Sequence, residues 1–165
     1  MCSRPENSQQ NSESQDRLRF REAHLLDRLT VRRILHEANL SFHATNEADS
    51  SSPGELGHPR VYLCERGGEI VGVLQWRNLG DEAEILDVAV GPAQRRQGIA
   101  NFLLRKFLQV MLELGIHQIY LEVRESNHPA VSLYRSLGFA ISGRRENYYR
   151  HPNEAALLFS LKIPA

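Results

Sequence analysis

Two arginines, a glutamine and a glycine stand together in Arg95-Arg96-Gln97-Gly98-Ile99-Ala100, between the apolar run AEILDVAV and the amphipathic run NFLLRKFLQVML. Arginine is the side chain best matched to phosphate oxygens. A helix starting just after such a turn aims its first free N–H groups, and the positive end of its dipole, at whatever lies in front. Gly98 adds a position where the backbone can take a conformation, or approach a ligand to a distance, that a Cβ would forbid. The combination suits a phosphate or pyrophosphate. A solvated basic turn that merely joins two elements has the same composition, and a short glycine motif alone does not separate the two. No Gly-Lys-Ser/Thr follows the glycine, which argues against a P-loop.

Other chemistries are poorly served. The seven histidines and two cysteines show no metal-ligand spacing, so no metal site is expected. Cys64 falls in a predicted strand without a nearby cue for thiolate activation, and Cys2 lies in a polar tail. A structural disulfide is therefore not expected, and a reducing cytoplasm fits. His117 and His128 stand at element ends, where surface histidines are common. Twenty basic residues balance twenty acidic ones, which argues against broad, direct nucleic-acid binding. The opening MCSRPENSQQNSESQD lacks the apolar core of a signal peptide, and no apolar run approaches the length that crosses a bilayer. A soluble, cytoplasmic protein is the expectation. Its 165 residues suit a disordered polar tail over 1–16 and a single domain over 17–165.

The elements around the basic turn follow from periodicity. RLRFREA alternates as a half-buried strand does, and the apolar positions Leu25, Leu26, Leu29, Ile34, Leu35 and Ala38 fall mostly at helical spacing. A long segment over 41–59, rich in turn residues, reads as a surface loop. RVYLCERGGEIVGVLQWRN reads as a hairpin turning at Gly67-Gly68. AEILDVAV is the next strand, and Ile99, Phe102, Leu103, Phe107, Val110, Met111 and Leu114 mark a long helix closed by Gly115. HQIYLEV is a strand with Ile119, Leu121 and Val123 on one face and Tyr120, Glu122 and Arg124 on the other. A helix follows with Ala130, Leu133, Tyr134 and Leu137 as its stripe, then strands near 139–144 and 155–161. Ligands of such α/β sheets sit beyond the carboxyl ends of diverging strands, which here are DVAV and YLEV.

With those elements placed, the chain resembles the GNAT acetyltransferases, and among them the ribosomal-protein-alanine N-acetyltransferases. The turn has the family form Arg/Gln-x-x-Gly-x-Gly/Ala, and LEVRESNHPAVSLYRSLGF at 121–139 with RRENYY at 144–149 resembles the narrower group. The likeness extends from about Leu18 to Leu161. It implies an α/β fold with a mixed, mostly antiparallel central sheet, one splayed strand pair and helices on both faces.

The resemblance also implies acetyl-coenzyme A as co-substrate. Its pyrophosphate would be held by Arg95, Arg96, Gln97, Gly98, Ile99 and Ala100, and its pantetheine arm by Asn127 and by freed main-chain groups of Val88, Ala89 and Val90. Glu122 takes the place of the general base and Tyr134 that of the acid which protonates the leaving thiolate. From the residues alone, Glu122 could equally pair with Arg124, Tyr134 could be a core tyrosine, and Asn127 could simply begin a helix. The implied partner is a protein N-terminus, most closely the alanine of a small-subunit ribosomal protein. Another N-terminus, a lysine, a small amine or a non-catalytic coenzyme A-binding role are the alternatives. Ala100 stands for the commoner glycine, Gly91 replaces an acidic residue, and 41–59 lacks the group's Pro-Trp pair, which loosens the tie to one acceptor. The sequence leaves the oligomeric state open.

Overall fold

The computed structural model describes residues 17–41, 43 and 56–164. The expected tail over 1–16 and most of the 41–59 loop lie outside the described residues. Seven strands form one sheet: β1 (Arg19–Glu22), β2 (Pro59–Arg66), β3 (Glu69–Asn78), β4 (Glu82–Val90), β5 (Gln118–Arg124), β6 (Ala140–Arg150) and β7 (Asn153–Lys162). Three helices connect them: α1 (Arg28–Glu37), α2 (Ile99–Glu113) and α3 (His128–Ser136). The spatial order is β1-β2-β3-β4-β5-β7-β6. Every neighbouring pair is antiparallel except β4 with β5. The α/β class, the mixed sheet and the helices on two faces agree with the reading of the sequence.

Alternation along the strands divides the core in two. Leu74, Trp76, Ile85, Ile119, Leu121 and Phe159 turn to one face, where Leu103, Phe107 and Met111 of α2 and Val131 and Tyr134 of α3 cover them. Tyr62 stacks on Trp76 at 5.8 Å between ring centres, and Phe107 meets Trp76 edge-on at 5.5 Å. Each fully buried side chain of this size contributes about 1.5–3 kcal/mol, so this seam fixes α2 on the sheet. The other face is smaller: Val61, Leu63, Val73 and Ala89 pack under Val31, Ile34 and Leu35 of α1.

Two expectations need correction. Spacing puts Leu25, Leu26 and Leu29 on the helical core stripe, but they are 53%, 94% and 81% exposed. Leu25–Asp27 form a 3-10 turn ahead of α1, so the face of that helix is set by Val31, Ile34 and Leu35 instead. β6 also runs past 144 to Arg150, although its outer residues carry no apolar alternation. The ladder to β7 defines that stretch, with an irregularity between Arg145 and Tyr149 where Asn147 has φ +54°.

Candidate active site

β4 and β5 pair only from Glu82↔Gln118 to Ile85↔Leu121. Beyond that point they part, β4 staying on β3 as far as Gly72↔Val90 and β5 on β7 as far as Arg124↔Ala156. The cause is local. Trp76 pairs with Ile85 and Gln75 with Asp87, so Leu86 is an extra residue that bends β4 away, as a bulge does. The Gly91 N–H donates to Val71 O on β3 at 3.1 Å. Main-chain groups alternate sides along an antiparallel strand, so Val88 and Val90 turn theirs toward the gap. Ala89 lies between them with its side chain buried under α1.

The basic turn leaves from the open end of this gap. Arg96 and Gly98 both have left-handed backbone, φ +64° and +78°. Gly98 occupies the N-cap of α2 without a side-chain capping bond, and Phe102 N to Gly98 O is the first helical bond. The N–H groups of residues 99–101 therefore have no intrahelical acceptor and face outward, with no acidic residue in the first turn. Arg95 reaches back to Val90 O at 3.3 Å, while Gln97 donates to Ala93 O and accepts from Arg66 at 2.5 Å. Arg66, at the end of β2, carries no signal for this place in the sequence, because its closeness to the turn is purely tertiary. A Cβ built on Gly98 meets nothing within 4 Å, so the space over the turn is open. An open gap, a strand edge with no strand beside it, an uncapped helix start and three arginines together fit a pyrophosphate on a pantetheine arm.

Glu122 is one residue past the last β4–β5 pair. Its side chain is 21% exposed, and its Oε1 lies 2.5 Å from Arg145 Nη1 on β6. Its interaction with the Tyr148 hydroxyl is the first cause of the raised Tyr148 pKa. The pairing with Arg124 is not formed; Arg124 meets Glu154 at 3.3 Å. Glu122 lines a cavity of about 230 Å³ with Glu84, Tyr120, Ser142, Arg145 and Leu158.

Tyr134 projects from α3 into the opposite face, its ring 5.8 Å from Phe139 and 6.1 Å from Phe159. Burial first, and the charge of Asp87 second, push its phenol well above the usual tyrosine range, so it remains protonated at neutral pH. It packs and keeps a proton at once. Asn127 caps α3, its Oδ1 accepting from Ala130 N at 3.3 Å. That cap uses only the carbonyl oxygen, so the amide nitrogen takes no part in it.

Two residues that sequence reasoning misses are Asp87 and Gln75. Gln75 is fully buried and donates to Asp87 Oδ2 at 2.9 Å. Burial raises the Asp87 carboxyl to about 6. Polar residues inside the apolar runs GVLQWRN and EILDVAV are the available signal. Burial likewise pushes the Cys64 thiol up to about 11, which makes it a poor nucleophile. Among the described residues no group of three or more His, Cys, Asp or Glu is arranged to hold a metal ion. None of the described helices is long and apolar enough to cross a membrane.

Comparison with known proteins agrees with this geometry. The Acetyltransferase (GNAT) family matches residues 28–139. A Bacillus subtilis protein named putative ribosomal protein bS18-alanine N-acetyltransferase is 34% identical over 109 residues, 66% of this chain and 72% of that protein. The Escherichia coli K12 ribosomal protein bS18-alanine N-acetyltransferase is 39% identical over 85 residues, which span 50% of this chain and 57% of that protein. The crystal structure of the Escherichia coli ribosomal-protein-S18-alanine N-acetyltransferase superposes with a TM-score of 0.75 at 24% identity, covering 90% of this chain and 96% of that one. A family match over more than half of the sequence means that the chain belongs to the GNAT family of acetyltransferases.

Proposed function

We propose that this protein transfers the acetyl group of acetyl-coenzyme A directly to the α-amine of a protein N-terminus, most closely the N-terminal alanine of a small-subunit ribosomal protein. The observation that carries the reading is the parting of β4 from β5, with Glu122 one residue past the last pair, Tyr134 packed on Phe159 of the next strand, and an uncapped, arginine-rich helix start after β4. The names of the relatives support the acceptor class. Such an acceptor places the reaction in the cytoplasm.

When bound, acetyl-coenzyme A supplies a thioester with a good leaving group. Residues 95–100 hold the pyrophosphate by main-chain N–H groups, with Arg95 and Arg96 adding charge. The gap-facing main chain of Val88 and Val90 pairs with the pantetheine amides as a sheet edge pairs with an added strand, and Asn127 offers its amide from the α3 side. A main-chain N–H at Val88–Val90 also stabilises negative charge on the acetyl oxygen. An α-amine is largely protonated at neutral pH, with a reference pKa of about 7.7–8.0, so a proton must leave before the lone pair can attack. Glu122 accepts a proton from the acceptor nitrogen, and Tyr134 donates one to the sulfur. The cavity beside Glu122 gives the acceptor its approach from the β6 side.

Purified protein is incubated with acetyl-coenzyme A and peptides starting in alanine, in other residues, and in blocked α-amines with a free lysine. Acetylation of the α-amine of alanine-first peptides is expected, together with a large loss of turnover in Glu122→Gln. Preferred acetylation of lysine or of a small amine would replace the acceptor. Coenzyme binding without turnover on any amine would defeat the enzymatic reading.

A further inference from the structure

Glu122 is not the only carboxylate at the parting of the strands. Asp87 stands two positions past the last β4 residue paired with β5, on the other side of the gap. Ala89, two residues on, packs under α1, and strand alternation puts Asp87 on that same face. Leu121 and Val123 pack on the opposite face, so Glu122 also turns to the α1 side. The two carboxylates thus flank one opening from one side of the sheet.

Asp87 is held by a built arrangement. Gln75, with no exposure, donates Nε2 to Asp87 Oδ2 at 2.9 Å and to Ser41 O at 2.8 Å, and its Oε1 accepts from His43 N at 3.0 Å. His43 Nε2 lies 3.1 Å from the same Oδ2. Oδ1 has no hydrogen-bond partner among the described residues, and the Asp87 side chain keeps 10% of its exposure. The His43 side chain is 45% exposed, so a path runs from a nearly buried carboxylate through an imidazole to water. The groups that bear electrostatically on Asp87 are His43 from the chain after α1, Gln75 from β3 and Tyr134 from α3.

We propose that Asp87, with His43 as its outlet to solvent, is a second proton acceptor for the incoming amine, on the β4 side of the gap opposite Glu122. The inference rests on the amine-acetylation reading above. An ammonium acceptor must lose two protons to become an amide. The first passes to the Asp87 carboxylate, then to the His43 ring and to water. The nitrogen lone pair then forms the C–N bond, and the C–S bond breaks. The second nitrogen proton leaves to Glu122 as Tyr134 protonates the sulfur, and Glu122 and Tyr134 recover by exchanging one proton through water. One proton is released and one ends on the thiol, which balances the reaction. A carboxyl raised to about 6 is also a better proton acceptor near neutrality than an ordinary one. Glu122 is held instead in its ion pair with Arg145.

The test measures kcat and kcat/KM for an alanine-first peptide from pH 6 to 9 in wild type, Asp87→Asn, His43→Gln and Glu122→Gln, with acetyl-coenzyme A binding read by thermal shift. Asp87→Asn should bind acetyl-coenzyme A normally, lose about 10²-fold in kcat/KM at pH 6.5 and recover most of it at pH 9, where the amine is neutral unaided. His43→Gln should show a smaller loss of the same pH shape, and it decides the matter if the Asp87 variant fails to fold. A loss equal at every pH would make the cluster a structural tie between the chain after α1 and strands β3 and β4. Wild-type kinetics in both variants, with Glu122→Gln impaired, would overturn this proposal alone. Wild type inactive on every amine would overturn it together with the reading on which it rests.

Discussion

Replacing Gly72 by alanine probes how closely the ligand helix must approach the sheet. Gly72 lies on β3 between Cys64 of β2 and Val90 of β4, beneath the first turn of α2. A Cβ built there falls 2.9 Å from Ile99 Cγ2 and 2.9 Å from Leu103 Cδ1. Ile99 is 2% exposed and Leu103 not at all, so neither side chain has free space to turn into. The added methyl must lift the start of α2, and overpacking of this kind costs about 1–3 kcal/mol. For a chain of this size each kcal/mol moves Tm by about 2–4 °C, so a fall on the order of 5 °C is expected by calorimetry. Ile99 directly follows Gly98, so the same lift displaces the N–H groups that would meet the pyrophosphate. Acetyl-coenzyme A should therefore bind several-fold more weakly by titration calorimetry, although Gly72 lies beneath the helix, outside the turn. An alanine variant with wild-type Tm and affinity would refute the idea that this close approach sets the helix start.

Gly98→Val tests the turn itself. Nothing obstructs a side chain there, but φ +78° is a left-handed conformation that costs an L-residue about 1–2 kcal/mol. The variant should lose most of the stabilisation by acetyl-coenzyme A, about 2.7 kcal/mol at a hundredfold excess over Kd, read as a vanished thermal shift. Tyr134→Phe keeps the contacts with Phe139 and Phe159 and should melt normally, while kcat falls by about 10²–10⁴-fold; unchanged turnover would leave the tyrosine to packing alone. Asp87 has a folded pKa of about 6 against about 3.9 in an unfolded chain, so the folded state binds the extra proton between those values and stability from this group falls as pH rises through that window. Asp87→Asn should therefore melt higher than wild type at pH 7.5, by on the order of 2 kcal/mol, with the difference fading below about pH 4; no gain at neutral pH would mean the ionised carboxylate is not strained.

Elements whose residues alternate against a core are legible in hydropathy alone, and so is the turn at 95–100, because periodicity of 2 or 3.6 is set by local geometry. The ends of that legibility are equally physical. β6 from Arg145 to Arg150 is almost wholly exposed, so its strand character comes from the hydrogen-bonding ladder to β7 and leaves no trace in hydropathy. Glu122 and Arg124 share a face and look like partners in the sequence, yet β7 and β6 bring Glu154 and Arg145 to them from distant parts of the chain. Leu86 is apolar like Ile85 before it, so the bulge that parts β4 from β5 is invisible in the sequence, while the family resemblance supplies the expectation of a splay. Asp87 and Gln75 do stand out as polar residues in apolar strands, but a satisfied core amide and a proton-handling dyad look alike until His43 is seen beside them. Burying a carboxylate is unfavourable unless its charge is met, and an asparagine could form the tie to Gln75 without that cost. An ionisable group kept where a neutral one would hold the fold as well is the pattern of a site selected for what it does with protons.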